Sequence, residues 1–223
     1  MALNAVCGSA ANDVYAVGPG GLLLHSNGSG WQQLDAGLSA DFASVWVRGP
    51  GDVFVAGDNG LILRGDGTNW EQMAAGSFKK TARLRGHGEL VIAYGESTFQ
   101  WLRDGIWSKV PKKGSTSAAW IYAENDMYAI GAWGVEHWDG SDWTTVMRGE
   151  TDPAPRAFWG SPGKPLIGVG DFGSIIKGEC SGIARFPGSG HVWNADGQNM
   201  EYRMKLSAIA SVIGLLGREI MTD

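Results

Sequence analysis

Several side chains in this sequence are of types and spacings that do chemistry. Asp58, Glu96 and Asp171 each follow a glycine that ends an apolar run. Two carboxylates held about 5–10 Å apart are what hydrolysis of a glycosidic bond requires. An aspartate in a hairpin also has a purely local reason to be there, because its side chain bonds the turn backbone. Arg83, Arg85 and Arg156 fall on strand-like segments or their beginnings. A guanidinium there holds an anion through paired hydrogen bonds, the alternative being scattered surface arginines. Arg48 lies at the far end of such a segment and is a poorer candidate. Trp133 and Phe172 stand in turns where comparable points carry Gly, Pro, Asn or Ser. A ring exposed in a turn fills no core and suits stacking on a sugar or peptide, unless it folds over a neighbouring element. With Asn59, next to Asp58, these residues make up a ligand-binding set: Trp133, Phe172, Asp58, Asn59, Glu96, Asp171, Arg83 and Arg156.

Other chemistry is not encoded recognisably. His25, His87, His137 and His191 share no metal-like spacing, and Cys7 and Cys180 lack ligand spacing too. No Ser/His/Asp pattern stands out. The expectation is therefore no catalytic residue, no metal and no cofactor. Charged residues make up 18% of the 223, the net charge is −5, and no Lys/Arg stripe is present, which argues against phosphate-driven nucleic-acid binding. The doublets Lys79-Lys80 and Lys112-Lys113 read as solubilising charges in turns.

The elements that must position these groups are five copies of one phrase. It is clearest as Asp52-Val53-Phe54-Val55-Ala56-Gly57, then Gly60-Leu61-Ile62-Leu63, then Asp66-Gly67-Thr68-Asn69-Trp70. The glycine closing its first element recurs at Gly18, Gly57, Gly95, Gly131 and Gly170, in steps of 39, 38, 36 and 39 residues. Short apolar runs between Gly/Asp turns at this period predict a β-propeller blade of four strands. In the second copy the strands fall at 43–47, 52–56, 61–64 and 70–73. Nearly continuous apolar runs, rather than alternation, predict sheets covered on both faces. The expected architecture is all-β: a propeller of about five four-stranded blades at 3–38, 39–77, 78–113, 114–150 and 151–186, either a small ring or a segment of a larger one.

Within each copy a fourth-strand Trp (Trp31, Trp70, Trp107, Trp143) is expected to pack between blades, with Ile183 in the fifth. A first-strand anchor stands at Trp46, Trp120 and Trp159, with Cys7 and Leu84 in the other copies. The residue two before it is small (Ala5, Ser44, Ala82, Ala118, Ala157), which lets innermost strands crowd around an axis. The third copy is the most degenerate, with a shortened turn Asp104-Gly105-Ile106-Trp107. Cys7 and Cys180 lie in the first and fifth copies, so a disulfide is open to them if five blades close; two free buried thiols is the preferred reading.

From Pro187 the pattern stops, although Gly190-His191-Val192-Trp193 resembles the opening of a sixth copy. Tyr202, Leu206, Ile209, Ile213, Leu216 and Ile220 have a helical period, predicting an amphipathic helix over about 201–220 in a non-repeat tail 187–223. The apolar run within it is too short to span a bilayer. No secretory signal precedes the first repeat, so the chain is either cytoplasmic or a piece whose beginning is lost. The Trp- and Gly-rich, Lys-poor composition favours the second.

The phrases Asn12-Asp13-Val14-Tyr15-Ala16-Val17-Gly18 and Gly60-Leu61-Ile62-Leu63-Arg64-Gly65-Asp66-Gly67-Thr68-Asn69-Trp70 resemble repeats of bacterial Asp-box (BNR-type) β-propellers, most of all the non-enzymatic branch of exported and surface proteins. The resemblance spans roughly residues 3–186. It implies an extracellular or cell-surface binding or scaffold module that recognises a protein or glycan through the turn face. The alternative it implies is a sialidase-like glycoside hydrolase, which would need an arginine cluster, a Tyr–Glu nucleophile pair and an acid. The turns Asn27 to Trp31, Asp66 to Trp70 and Asp139 to Trp143 depart from the usual Asp-box, which speaks against the enzyme.

Overall fold

In a computed structural model of the chain, the described residues are 2–74, 82–96, 98–112, 114–131, 134–148, 155–160, 166–170, 175–179, 182–186, 191–193 and 199–201. The chain divides into two compact units, Met1–Ala154 and Pro155–Asp223. The first unit holds four antiparallel sheets of four strands, each in simple meander order. Sheet 1 is β1 (Ala5–Ala10), β2 (Asp13–Val17), β3 (Leu23–Ser26) and β4 (Trp31–Leu34). Sheet 2 is β5 (Phe42–Gly49), β6 (Asp52–Gly57), β7 (Ile62–Gly65) and β8 (Trp70–Gln72). Sheet 3 is β9 (Arg83–His87), β10 (Leu90–Tyr94), β11 (Phe99–Arg103) and β12 (Ile106–Lys109). Sheet 4 is β13 (Thr116–Ala123), β14 (Asp126–Gly131), β15 (Gly134–Trp138) and β16 (Trp143–Arg148).

The second unit is one sheet of six strands: β17 (Pro155–Trp159), β18 (Leu166–Gly170), β19 (Ile175–Glu179), β20 (Gly182–Phe186), β21 (His191–Trp193) and β22 (Asn199–Glu201). This corrects the expectation of four strands here. The segment that resembles the start of a sixth copy instead extends the fifth sheet, β21 pairing with β20 through Arg185 and Trp193. The expected helix over about 201–220 lies outside the described residues beyond Glu201, which ends β22. Cys180 also lies outside them, and Cys7 is a free, half-buried thiol.

Strand alternation explains how four sheets stack without a separate core. Val53 and Val55 point to one side of β6 and join Tyr15, Val17 and Leu23 of sheet 1. Phe54 and Ala56 point to the other side and join Leu84, Val91 and Ala93 of sheet 3. Ile92, Tyr94 and Phe99, on the far side of sheet 3, meet Ala119, Met127 and Ala129 of sheet 4. Both faces of sheets 2 and 3 are thus buried, which is why their sequence runs are continuously apolar. First strands approach closest, β1 on β5, β5 on β9 and β9 on β13, while the fourth strands make no comparable approach. The four sheets therefore fan out from their first strands.

Small residues on first strands serve this crowding. The Ser44 hydroxyl donates to Leu84 O at 3.4 Å and accepts from Leu84 N–H at 3.0 Å, and Val47 N–H donates to Cys7 Sγ at 3.4 Å. Sheet 3 breaks the pattern by one residue. β5 and β13 carry a bulge near their start, between Phe42 and Ser44 and between Thr116 and Ala118, whereas β9 pairs with β10 without one. The pairs Trp46–Phe54, Trp120–Tyr128 and Arg85–Ile92 are therefore equivalent. The residue at the anchor position of sheet 3 is Arg85, not Leu84 as expected from the spacing, and Arg83 replaces the small residue two before it.

Three of the four β3–β4-type turns of the first unit close on their own side chain. Asn27, Asp66 and Asp139 accept the N–H two residues on at 3.0, 2.8 and 2.8 Å. The next residue is Gly at φ 87°, 94° and 99°, a region closed to most side chains. The shorter turn of sheet 3 is a two-residue hairpin with positive φ at both Asp104 (50°) and Gly105 (77°), matching the mirror-image turn that tight hairpins favour.

Candidate ligand-binding face

The loops joining second to third strands and those leading into first strands gather at one end of the fan and are bonded to each other. Phe42 N–H donates to Gly18 O (3.1 Å), Ala82 N–H to Gly57 O (3.1 Å) and Thr116 N–H to Gly95 O (2.9 Å). The recurrent glycine that marks the repeat thus offers its carbonyl to the next sheet. Gly57 has an extended backbone, so its requirement for glycine is steric: a Cβ would collide with the Asp41 carbonyl. The Pro19–Gly21 turn is tied the same way, Gly21 N–H to Ala40 O at 2.6 Å and Gly20 N–H to Asp41 Oδ1 at 2.8 Å.

Asp58 and Asn59 form the turn after β6, with Asp58 N–H bonded to Asp41 O at 3.1 Å and Asn59 exposed at φ 56°. Glu96 is exposed in the turn after β10. Arg83 begins β9, exposed, next to the Ala82 that bonds Gly57. It pairs across the strand with Tyr94, one residue before Gly95-Glu96. Backbone connectivity thus puts Arg83 between the turns of Asp58 and Glu96. Arg156 is exposed on β17 of the second unit. Trp133, Phe172 and Asp171 lie outside the described residues.

Arg85, missing from the ligand set, sits two residues along from Arg83 on the same side of β9. Its guanidinium carbon lies 4.3 Å from the centre of the Trp120 ring. Among the described residues no carboxylate pairs with Arg83 or Arg85. Burial weakens the hold of Arg85 on its proton, opposed by the nearby Tyr94 and Cys7, but a guanidinium stays charged through such a change. Burial likewise pushes the Tyr94 hydroxyl and the Cys7 thiol above their usual ranges. Cys7 is therefore a poor nucleophile. The Arg83–Arg85 pair can hold an anion and has no proton to trade.

The opposite end of the fan carries charges already paired. Arg48 and Arg64 both bind Asp52, at 2.5 and 2.7 Å, flanking the Phe54 ring at 5.5 Å each. Arg103 binds Glu124 at 3.0 Å and stacks 3.7 Å over Trp101. A cleft of about 500 Å³ lies among Arg48, Arg64, Arg103, Glu89 and Glu124. The Asp52–Arg64 pair belongs to a repeated unit that the sequence reading missed. Asp13 bonds His25 at 3.0 Å with His25 against Tyr15 (4.4 Å), and Asp126 bonds His137 at 2.8 Å with His137 against Tyr128 (4.5 Å). The signal was present: an acid opening the second strand, an aromatic two on, and a base 11 or 12 residues after the acid. Lys112 also departs from expectation. It is buried against Glu136 as an ion pair between sheets 3 and 4, not a solubilising surface charge.

No protein-family model matches the chain, and no curated protein sequence does. Solved structures do. The WD40 β-propeller domain of Doa1 superposes with a TM-score of 0.67 at 14% identity, over 90% of this chain and 82% of that one. YCF48 bound to D1 peptide superposes with a TM-score of 0.64 at 13% identity, over 85% and 76%. PorZ, a bacterial surface component of the type-IX secretion system of Porphyromonas gingivalis, superposes with a TM-score of 0.62 at 12% identity, over 88% of this chain and 32% of that one. At such identities the likeness is one of fold, and it makes this chain an all-β repeat protein of the β-propeller kind.

Proposed function

We propose that the chain is a non-catalytic binding module that recognises a protein or glycan through its turn face, at a bacterial cell surface or outside the cell. The observation that carries this reading is the Arg83–Arg85 pair. Two guanidiniums without a described carboxylate lie on one side of β9, the first at the turn face between the Asp58 and Glu96 turns. Such a pair suits an acidic side chain, a chain-terminal carboxylate or an acidic sugar. Asn59 and Glu96 add exposed polar groups, and Trp133 and Phe172 supply stacking surfaces in this reading. The five segments at 3–38, 39–77, 78–113, 114–150 and 151–186 are, in this reading, repeats of Asp-box kinship. A neighbour of the same fold is known with a peptide bound, which supports a peptide as ligand. Composition and the likeness to a surface component support the surface setting. No helix among the described residues is long and apolar enough to cross a membrane.

Titration against acidic and neutral peptides and glycans, run beside an arylglycoside hydrolysis screen, tests the proposal. Saturable binding that prefers the acidic ligands, weakens on Trp133→Ala with folding intact and comes without turnover is the expected result. Hydrolysis lost on Glu96→Gln or Asp171→Asn would overturn it in favour of a glycoside hydrolase.

A further inference from the structure

Sheet 3 departs from its neighbours at the end of the fan opposite the turn face. In sheets 1, 2 and 4 an acid and a base of the same sheet pair with each other, as Asp13–His25, Asp52–Arg64 and Asp126–His137. By strand pairing the equivalent positions of sheet 3 are Leu90 and Trp101, so this sheet has neither partner. Its charges pair across sheets instead. Arg103, two residues beyond Trp101 on the same side of β11, stacks 3.7 Å over the Trp101 ring and reaches Glu124 of sheet 4 at 3.0 Å. Glu89, just before β10, reaches Arg48 of sheet 2 at 3.5 Å. The hairpin after Arg103 spans two residues where those of sheets 1, 2 and 4 span four. Beside it lies the cleft of about 500 Å³ bordered by sheets 2, 3 and 4. That volume falls within the roughly 300–1,000 Å³ of small-ligand clefts.

Two guanidiniums of this cleft have donors to spare, since each carries several N–H groups in a fixed fork. Arg64 gives its Nε–H to Asp52, and Arg103 gives an Nη2–H to Glu124. Their other N–H groups meet no acceptor among the described residues. Each is backed by an aromatic ring, Phe54 at 5.5 Å and Trp101 at 3.7 Å, which fixes where its donors stand. The carboxylates of Glu89, Asp104 and Glu124 border the same space from exposed positions. Arg48, Arg64 and Arg103 balance these three acids, and Asp52, bound to two of the arginines, adds a negative charge. Such a lining does not concentrate an anion. It sets donors beside acceptors, which suits hydroxyl groups, because each hydroxyl both donates and accepts.

We propose that this cleft is a second binding site, one for an uncharged sugar in its pyranose form. Arg64 and Arg103 donate to hydroxyl oxygens of the sugar, and Glu124 accepts from a hydroxyl. The site lies wholly within the first unit and does not rest on the reading given for the turn face. The two ends then divide ligands by charge: acidic groups at Arg83, uncharged hydroxyls at Arg103.

Saturation-transfer NMR and isothermal titration of the full chain with methyl pyranosides of glucose, galactose, mannose and N-acetylglucosamine test this, with inorganic phosphate and diglycine as anionic and zwitterionic competitors. At least one pyranoside is expected to bind saturably and to be displaced by neither competitor. Arg103→Ala and Glu124→Gln are each expected to weaken that binding at least about tenfold, the loss of a hydrogen bond to a charged group. Arg83→Ala is expected to leave it unchanged, whereas an acidic ligand of the turn face responds to Arg83→Ala and not to Arg103→Ala. The Arg103–Glu124 pair is exposed, so neither substitution is expected to unfold the chain. Arg64→Lys, which keeps the charge and removes the fork, probes the same cleft should either fold poorly. Absence of pyranoside binding, binding indifferent to either variant, or displacement of the sugar by phosphate or diglycine would overturn the proposal.

Discussion

Asp66 and Asp139 hold their turns through hydrogen bonds that are stronger to an ionised carboxylate. Backbone N–H groups of Asn69 and Thr68 donate to Asp66, and those of Asp142 and Ser141 to Asp139, drawing both down from 3.8 to about 2. A pKa lowered by folding means stability that is present above the ordinary carboxylate range and lost as pH falls from about 4 toward 2. Thermal midpoints measured across that window are expected to drop for the wild type and to drop less steeply, from a lower plateau, for the Asp66→Ala/Asp139→Ala variant. At the Lys112–Glu136 pair the sign of the effect depends on how many partners are removed. Lys112→Met leaves a buried carboxylate unpaired and is expected to cost about 3–5 kcal/mol, while Lys112→Met with Glu136→Leu recovers most of that loss. Chemical denaturation of both variants checks the difference.

At the scale of the element, the recurrent glycine is what makes one strand-turn-strand phrase stackable. A methyl group on Gly57 meets the Asp41 carbonyl, while one on Gly30 meets nothing within 4 Å. Gly57→Ala is therefore expected to destabilise by about 1–3 kcal/mol, and Gly30→Ala to be neutral or mildly stabilising, as read from urea midpoints. That phrase was legible in the sequence because turn chemistry and burial on both faces act locally and recur. The register of sheet 3 was not, since a single missing bulge residue ahead of β9 shifts every later position, and only strand pairing shows that Arg85 stands where Trp46 and Trp120 stand. Lys112 was misread because its burial depends on Glu136, a residue 24 positions away on the next sheet. The placement of Arg83 at the turn face was legible, because its place at the start of a first strand follows from the repeat. Its neighbours there were not, because they depend on how sheets 2 and 3 dock.

At the largest scale, repetition of one interface explains both the structure of the first unit and the face proposed to bind. Each sheet of the first unit packs on its neighbours, the first strands converge, and their leading loops are bonded into a face that holds Arg83, with Arg85 behind it on the same strand. At the opposite end Arg48 and Arg64 are engaged by Asp52 and Arg103 by Glu124, so these arginines are paired where Arg83 has no described carboxylate. The two ends thus make opposite predictions for the same measurement. Isothermal titration of an acidic peptide or glycan that binds the wild type should be repeated with Arg83→Ala and with Arg103→Ala. The account predicts at least a tenfold loss of affinity, about 1.4 kcal/mol, for Arg83→Ala and wild-type affinity for Arg103→Ala. Binding that survives Arg83→Ala but is lost in Arg103→Ala would contradict it.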